Sequence, residues 1–190
     1  MFAPYKKSCK TIKQLATKGP QNGFYRKGSE INGTVPVIKM KQIFGNDAMA
    51  DADDCDLLSL TDSEIERFSL TENDLVFGRR SLVVEGAGKC KRVGPITATT
   101  VFESSILRVS LNPQVVKPRY LQVWFDTEDG KNAISAIRAV TTIAGIKGSD
   151  LANIEVPVAP LELQEQFILF MEQSDKSKFQ YTFRRFLHVK

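Results

Sequence analysis

Histidine is almost missing from this sequence: of 190 residues, only His188 is one. A Ser-His-Asp or Cys-His site would have to run through that single imidazole, so nucleophilic catalysis of this kind is not expected. A zinc centre lacks nitrogen ligands for the same reason. Cysteine is scarce as well. Cys9, Cys55 and Cys90 are odd in number and widely spaced, with no CxxC pair, which speaks against a disulfide framework and fits a reduced, intracellular setting. Long apolar runs are also lacking. Nothing approaches the roughly 20 uncharged residues of a membrane helix, and the opening segment Met1–Lys7 has no apolar core of signal-peptide length. The expectation is a soluble, cytoplasmic protein with no membrane partner.

What is present is ordinary in amount and informative in placement. A hydrophobic content of 42% suffices for a real core, in one domain or one domain with an appendage. The net charge of +4 and a pI near 8.9 are compatible with nucleic acid without pointing to it.

Along the chain, Ile12, Leu15 and Ala16 have helical spacing, and Gly19-Pro20-Gln21-Asn22-Gly23 forces a loop. Val35-Pro36-Val37 reads as a strand that lies at an edge or starts there, because proline cannot donate to a ladder. Residues 46–56 form an acidic loop. Thr61 with Glu64 three residues on is a capping box, ahead of Ile65 and Phe68 on one helical face. Leu75–Phe77 is a short buried strand. Gly86, Gly88 and Gly94-Pro95 mark a loop carrying Lys89, Lys91 and Arg92. Thr97–Phe102 and Ile106–Leu111 are β-like, and Asn112-Pro113 breaks the second. Pro118 opens a helix that Gly130 ends, and Asn132–Val140 reads as a second short helix. Ser149 or Asp150 caps one turn before the strand Ile154–Val158. The mix is α/β (α+β): β-rich with short helices, followed by a long C-terminal α-helix.

That last segment places Leu161, Gln164, Phe167, Met171, Asp175, Phe179, Phe183 and Phe186 at steps of three or four. About 30 helical residues would span ~45 Å, long for a core of this size. The stripe either packs on its own domain or meets a second chain. In the second case Phe167, Met171, Phe179 and Phe183 are the candidate partner or dimer interface.

Catalytic motifs fail in detail. Gly86-Ala87-Gly88-Lys89-Cys90 ends like a phosphate loop, but Val83 stands where the first glycine belongs and Cys90 where Ser or Thr belongs. Asp51, Asp53, Asp54 and Asp56 lack the glycine and the glutamate of a calcium loop. Asp129-Gly130-Lys131 has a nuclease-like ending with no well-placed further acid. Asn112-Pro113-Gln114-Val115 is half a methyltransferase tetrad, without a glycine-rich cofactor loop. No catalytic residue, metal or cofactor is assigned. The basic residues say more. Arg26, Lys27, Lys39, Lys41, Arg79, Arg80, Lys89, Lys91 and Arg92 fall in or beside loops and strand ends. There, arginines beside glycines can reach phosphates and base edges. Each is a candidate DNA contact; ordinary surface charge is the plain alternative.

Five pieces in order resemble a family. Ile12–Leu15 with Gly19–Gly23 matches its opening helix and loop. Val35-Pro36-Val37-Ile38-Lys39 running to Gln42-Ile43 matches its first strand, and Leu70 through Asp74-Leu75-Val76 to Arg79 a later one. Pro118-Arg119-Tyr120-Leu121 matches a helix start. Leu151-Ala152-Asn153-Ile154, continuing through Pro157, Pro160-Leu161 and Gln164 to Phe167, matches the closing signature. The chain resembles half of a type I restriction–modification specificity subunit, with Arg79-Arg80-Ser81-Leu82 departing from the usual single arginine and glycine.

The resemblance implies a DNA target recognition domain at 1–158 and a helical spacer or dimerisation region at 159–190. It implies a non-catalytic role: reading one half of a split site in double-stranded DNA and docking the type I methyltransferase subunit. It leaves open the restriction subunit as a further partner, a homodimer through the helix, and whether the chain works as a half subunit or is a remnant. The recognition part of another DNA methyltransferase or nuclease system, and a protein-interaction module using the Phe-rich helix, are the alternatives.

Overall fold

The run Leu75-Val76-Phe77 is buried on both faces of the sheet that carries it, and the molecule is layered around that sheet. The computed structural model describes residues 8–25, 33–45, 49–52 and 54–173. Arg26, Lys27, Asp53, Phe179, Phe183, Phe186 and His188 lie outside the described residues.

The first half contains β1 (Cys9–Thr11), α1 (Ile12–Leu15), β2 (Ala16–Asn22), β3 (Val35–Ile38), α2 (Met40–Phe44), β4 (Met49–Ala50), β5 (Asp56–Leu58), α3 (Asp62–Phe68) and β6 (Asp74–Gly78). Then come β7 (Arg80–Ser81), a 3-10 turn at Val84–Gly86, β8 (Cys90–Val93), β9 (Val101–Phe102), β10 (Ile106–Leu111), α4 (Pro118–Asp126) and α5 (Glu128–Ile137). The chain continues through β11 (Ala144–Gly145), α6 (Gly148–Ala152) and β12 (Glu155–Pro157) to a last helix, α7, at 161–173. The mixed α/β arrangement expected from the sequence is the one found.

The main sheet has the order β2-β10-β6-β8-β4. Side chains alternate across it. Leu75 and Phe77 of β6, with Leu107, Val109 and Leu111 of β10, join the core under α1, α4 and α5. Val76 and Ile106 face a second core with Ile38, Ile43 and Phe102. A strand covered on both faces carries an unbroken apolar run, which is why this one was readable in advance. A smaller sheet, β5-β3-β9, closes a third cluster with Phe24, Val35 and Leu58. The capping box at Thr61 and Glu64 opens α3 as expected.

Four local expectations are corrected. The Gly19-Pro20 stretch is not a free loop: it belongs to β2, which pairs with β10 through register shifts and holds a cis Gly19–Pro20 bond. β3 is the central strand of its sheet and not an edge, although it does start beside the proline, running from Val35 to Ile38. Pro36 is accommodated because the pairing with β9 begins only at Val37↔Val101. Lys91 and Arg92 lie in β8, next to β6, and not in a loop. Gly130 does not end a helix. Thr127 does both jobs: its N–H donates to the Trp124 carbonyl at 3.0 Å, closing α4, and its Oγ1 accepts from Gly130 N–H at 3.3 Å, opening α5. Gly130 sits against Trp124 O and Phe125 Cα, where a Cβ has no room. Its glycine serves the close approach of two helices.

β1 and β12 pair and bring the first and last described strands together, Cys9 opposite Pro157. Tyr120 of α4 locks the turn that follows. Its hydroxyl donates to Pro157 O at 3.1 Å and accepts from Ala159 N–H at 3.3 Å. Its ring meets Phe167 of α7 edge-on at 6.1 Å. Tyr120→Phe strands two buried backbone groups and should cost about 1–2 kcal/mol in urea unfolding; a variant as stable as the parent would show the hydroxyl to be idle.

Candidate nucleic-acid interface

The folded chain sorts the expected basic residues by what they touch. Lys39 Nζ meets Asp56 Oδ2 at 2.6 Å, and Lys41 Nζ meets Asp54 Oδ2. Asp54 and Asp56 are therefore the partners of these two lysines. The hydrogen bond and charge of Lys39 hold the Asp56 carboxyl below its ordinary pKa, and the bond to Asp54 raises Lys41. Lys91 points inward: it is buried, and its ammonium donates to Gly45 O at 2.9 Å, joining β8 to the end of α2.

Lys89 stands over the Phe44 ring, 5.5 Å from its centroid, and lines a cleft of about 460 Å³ with Lys131, Arg138, Asp126 and Glu85. Arg92 is half-buried. Burial first, and then the neighbouring Arg119, push its guanidinium pKa down, while Glu172 and Glu72 oppose this. It lines a smaller cleft with Glu72, Lys117 and Arg119.

Arg79 and Arg80 behave differently. They leave the end of β6 and line a cleft of about 640 Å³ with Asn22, Thr141, Ile143, Lys147 and Asp150. Arg79 Nε donates to Ser104 O at 2.7 Å, which fixes the base of its fork, and partial burial with Arg80 alongside lowers its pKa. Arg80 is exposed, as is Lys147. The pairing of β7 with β11 brings this third basic residue close, Gly145 opposite Arg80. Lys147 was missed in the sequence because that pairing joins segments more than 60 residues apart. The one available signal was composition: Lys147 is followed by Gly148, as Arg79 is preceded by Gly78.

Chemically the cleft suits an anion that also offers planar hydrogen-bond acceptors, because two guanidinium forks and an ammonium converge with Asn and Thr. Among the described residues, no group of three or more His, Cys, Asp or Glu could hold a metal ion, and no helix is long and apolar enough to cross a membrane.

Of the partner-interface residues expected on the last helix, two are described. Phe167 packs on its own chain, against Tyr120, and Met171 is half-buried. The outward positions of α7 include Leu169 and Phe170, 57% and 63% exposed.

No protein-family model matches the chain. It is similar in sequence to the type I restriction enzyme EcoKI specificity subunit of Escherichia coli (strain K12), 23% identical over 155 residues. That match covers 80% of this chain and 33% of the relative, so the chain spans about a third of the curated relative's length. In fold it is similar to the type I restriction–modification S subunit from M. genitalium, with a TM-score of 0.57 at 13% identity over 88% of this chain and 38% of that one. The HsdS subunit from Thermoanaerobacter tengcongensis gives 0.59 at 12% identity, covering 89% and 37%. A chain from a structure on complex assembly and conformational transition of the type I R-M system gives 0.62 at 12% identity, covering 94% and 44%. The resemblance read from the five sequence motifs is borne out by these matches, and the fold is that of the S subunits.

Proposed function

We propose that this chain, alike in sequence and fold to type I restriction–modification specificity subunits, is a DNA specificity protein that reads one half of a split duplex target. The observation that carries the reading is the likeness over 80% of the chain to a specificity subunit. The arginine cleft supports it as the reading surface. In this reading residues 1–158 recognise DNA and 159–190 form the spacer that docks methyltransferase and restriction subunits. Methylation and cleavage belong to those partner chains.

Arg79, Arg80 and Lys147 approach bases and phosphates, and Lys89 and Arg92 add backbone contacts. Arg26 and Lys27, outside the described residues, are kept as further candidate DNA contacts. Lys39 and Lys41 are available to phosphates only when their aspartates are displaced, and Lys91 serves the fold. Phe179 and Phe183, with Leu169 and Phe170, take over the partner contact from Phe167, which is already in use.

Random-site selection with the purified chain, alone and with a type I methyltransferase subunit, should return an enriched motif. Binding to it should weaken steeply with salt, by nearly one unit of log–log slope for each phosphate contacted. No enriched motif under either condition would remove the proposal.

A further inference from the structure

Beside the arginine cleft stands a small two-stranded ribbon, β7 paired with β11 in the register Ala144↔Ser81 and Gly145↔Arg80. The chain leaving β7 exposes Leu82 by 83% and Val83 by 53%; the chain entering β11 exposes Val140 by 61% and Ile143 by 46%. With Val84, these are five of the ten large hydrophobic residues exposed among the described residues. Single exposed hydrophobes need no explanation, but a cluster drawn from two distant segments does.

The cluster is held in place. Ser81, itself buried, accepts the Val83 N–H on its hydroxyl at 3.1 Å. Gly86 N–H donates to Val83 O at 3.0 Å, and Arg138 Nε donates to Ala87 O at 2.9 Å, which ties the turn to the end of α5. Arg79 is anchored on both sides: its N–H donates to Ser105 O at 2.7 Å and its carbonyl accepts from Ile146 N–H at 3.0 Å. Beneath the ribbon, Ala144 and Ile146 are buried. Leu82 is thus presented to solvent by a bonded frame.

Charge decides the occupant. Arg79 and Arg80 precede Leu82, and Lys147 follows β11, against Glu85 and Asp150 nearby. A surface that is apolar at its tip and cationic at its flanks complements a duplex major groove, which has phosphates on both sides and thymine methyl groups in its floor. That groove, about 12 Å wide, admits a two-stranded β-ribbon.

We infer that the β7–β11 ribbon enters the major groove, and that Leu82 is a specificity-determining residue that packs on the C5-methyl of a thymine. The inference rests on the DNA-reading proposal above. It is tested on the full chain, with its methyltransferase partner if selection requires one, by replacing each thymine of the selected site with uracil, one at a time. The parent protein should weaken ~3- to 5-fold at one thymine, the size of one buried methyl group. Leu82→Ala should bind the thymine and uracil duplexes alike while keeping its circular dichroism. A parent indifferent to every replacement, or a Leu82→Ala variant that keeps the discrimination, overturns the assignment and leaves the DNA-reading proposal standing. A Leu82→Ala variant that loses the methyltransferase subunit and keeps the discrimination makes the ribbon a protein-docking surface and likewise overturns it. A parent that selects no site overturns both.

Discussion

Replacing Gln164 with leucine is expected to destabilise the chain by about 3 kcal/mol and to loosen α7 from the domain. Gln164 is fully buried, and both ends of its amide are in use. Nε2 donates to Val115 O at 3.1 Å and to Ala159 O at 2.7 Å, while Oε1 accepts from Lys117 N–H at 2.9 Å. One side chain thus joins the first turn of α7 to the start of α4 and to the turn after β12. Leucine has a similar size, so little of the loss would come from a cavity. The loss comes from stranding a backbone donor and two acceptors, at ~1–3 kcal/mol for each group left unpaired, not fully additive. The exposed ion pair of Lys117 with Glu165 at 3.0 Å is too solvated to compensate. Urea unfolding gives the stability, and amide hydrogen exchange across 161–173 gives the loosening. A variant within about 0.5 kcal/mol of the parent, an ordinary surface effect, with unchanged exchange would show that packing of Phe167 and Ile168 alone seats the helix. The consequence for function follows from geometry. If residues 159–190 space two reading domains, Gln164 sets the direction in which the spacer leaves.

Gln164 also illustrates what a sequence discloses. Its position in the closing signature was legible, and so was its place on the inward stripe of α7. Its partners Val115 and Lys117 were not, because they lie on a segment nearly fifty residues away. The same divide runs through the molecule. Local chemistry was readable: the capping box of α3, the proline that opens α4, the apolar runs of β6 and β10. Gly130 misled because one threonine both ends a helix and begins the next, so the glycine marks a close approach instead of a stop. Lys91 and Arg92 misled because charged residues in a strand look like a loop until their neighbours are known. In the candidate interface, Arg79 and Arg80 were found from their own loop. Lys147 and Leu82 gained their place only through the pairing of β7 with β11. The pairing of Lys39 with Asp56 and of Lys41 with Asp54 joins residues more than ten positions apart, which no local pattern reports.

Replacing Arg108 with methionine should cost about 3–5 kcal/mol, because it strands two acceptors at ~1–3 kcal/mol each and leaves the buried Asp74 without its nearby positive charge, and the cost should grow with pH. Arg108 lies mid-strand in β10 and is 4% exposed. Its guanidinium donates from Nη1 to Ser69 O at 2.8 Å and from Nη2 to Gln21 Oε1, and it lies 5.4 Å from the centroid of the Phe102 ring. On the same face, Asp74 is fully buried, and its Oδ2 accepts from Thr71 N–H at 2.7 Å. Asp74 Oδ1 and Arg108 Nε have no hydrogen-bond partner among the described residues, and the two side chains form no ion pair, so they act on each other only through charge at a distance. Burial raises the pKa of Asp74 above its ordinary value, against the pull of its hydrogen bonds and of Arg108, and burial lowers that of Arg108. A raised carboxyl pKa means that the folded state holds the proton more tightly than the unfolded one. The stability from this group is therefore fully present below the ordinary carboxyl range and is lost as pH rises through the raised folded value. Without the arginine, Asp74 rises further, and the loss above that value deepens. Urea unfolding of Arg108→Met across pH should show the penalty smallest in acid and largest near neutrality. Adding Asp74→Asn should restore part of it, because the second change removes the charge that the first one orphaned. A penalty independent of pH, or two costs that simply add, would mean that the arginine acts only through Ser69, Gln21 and Phe102. Arg108→Lys should not rescue, since one ammonium cannot span the two acceptors that the guanidinium fork reaches. The damage should also reach the reading surface: Gln21, which Arg108 holds, immediately precedes Asn22 on the wall of the arginine cleft. DNA binding by folded Arg108→Met protein should therefore fall even under conditions where the fold survives.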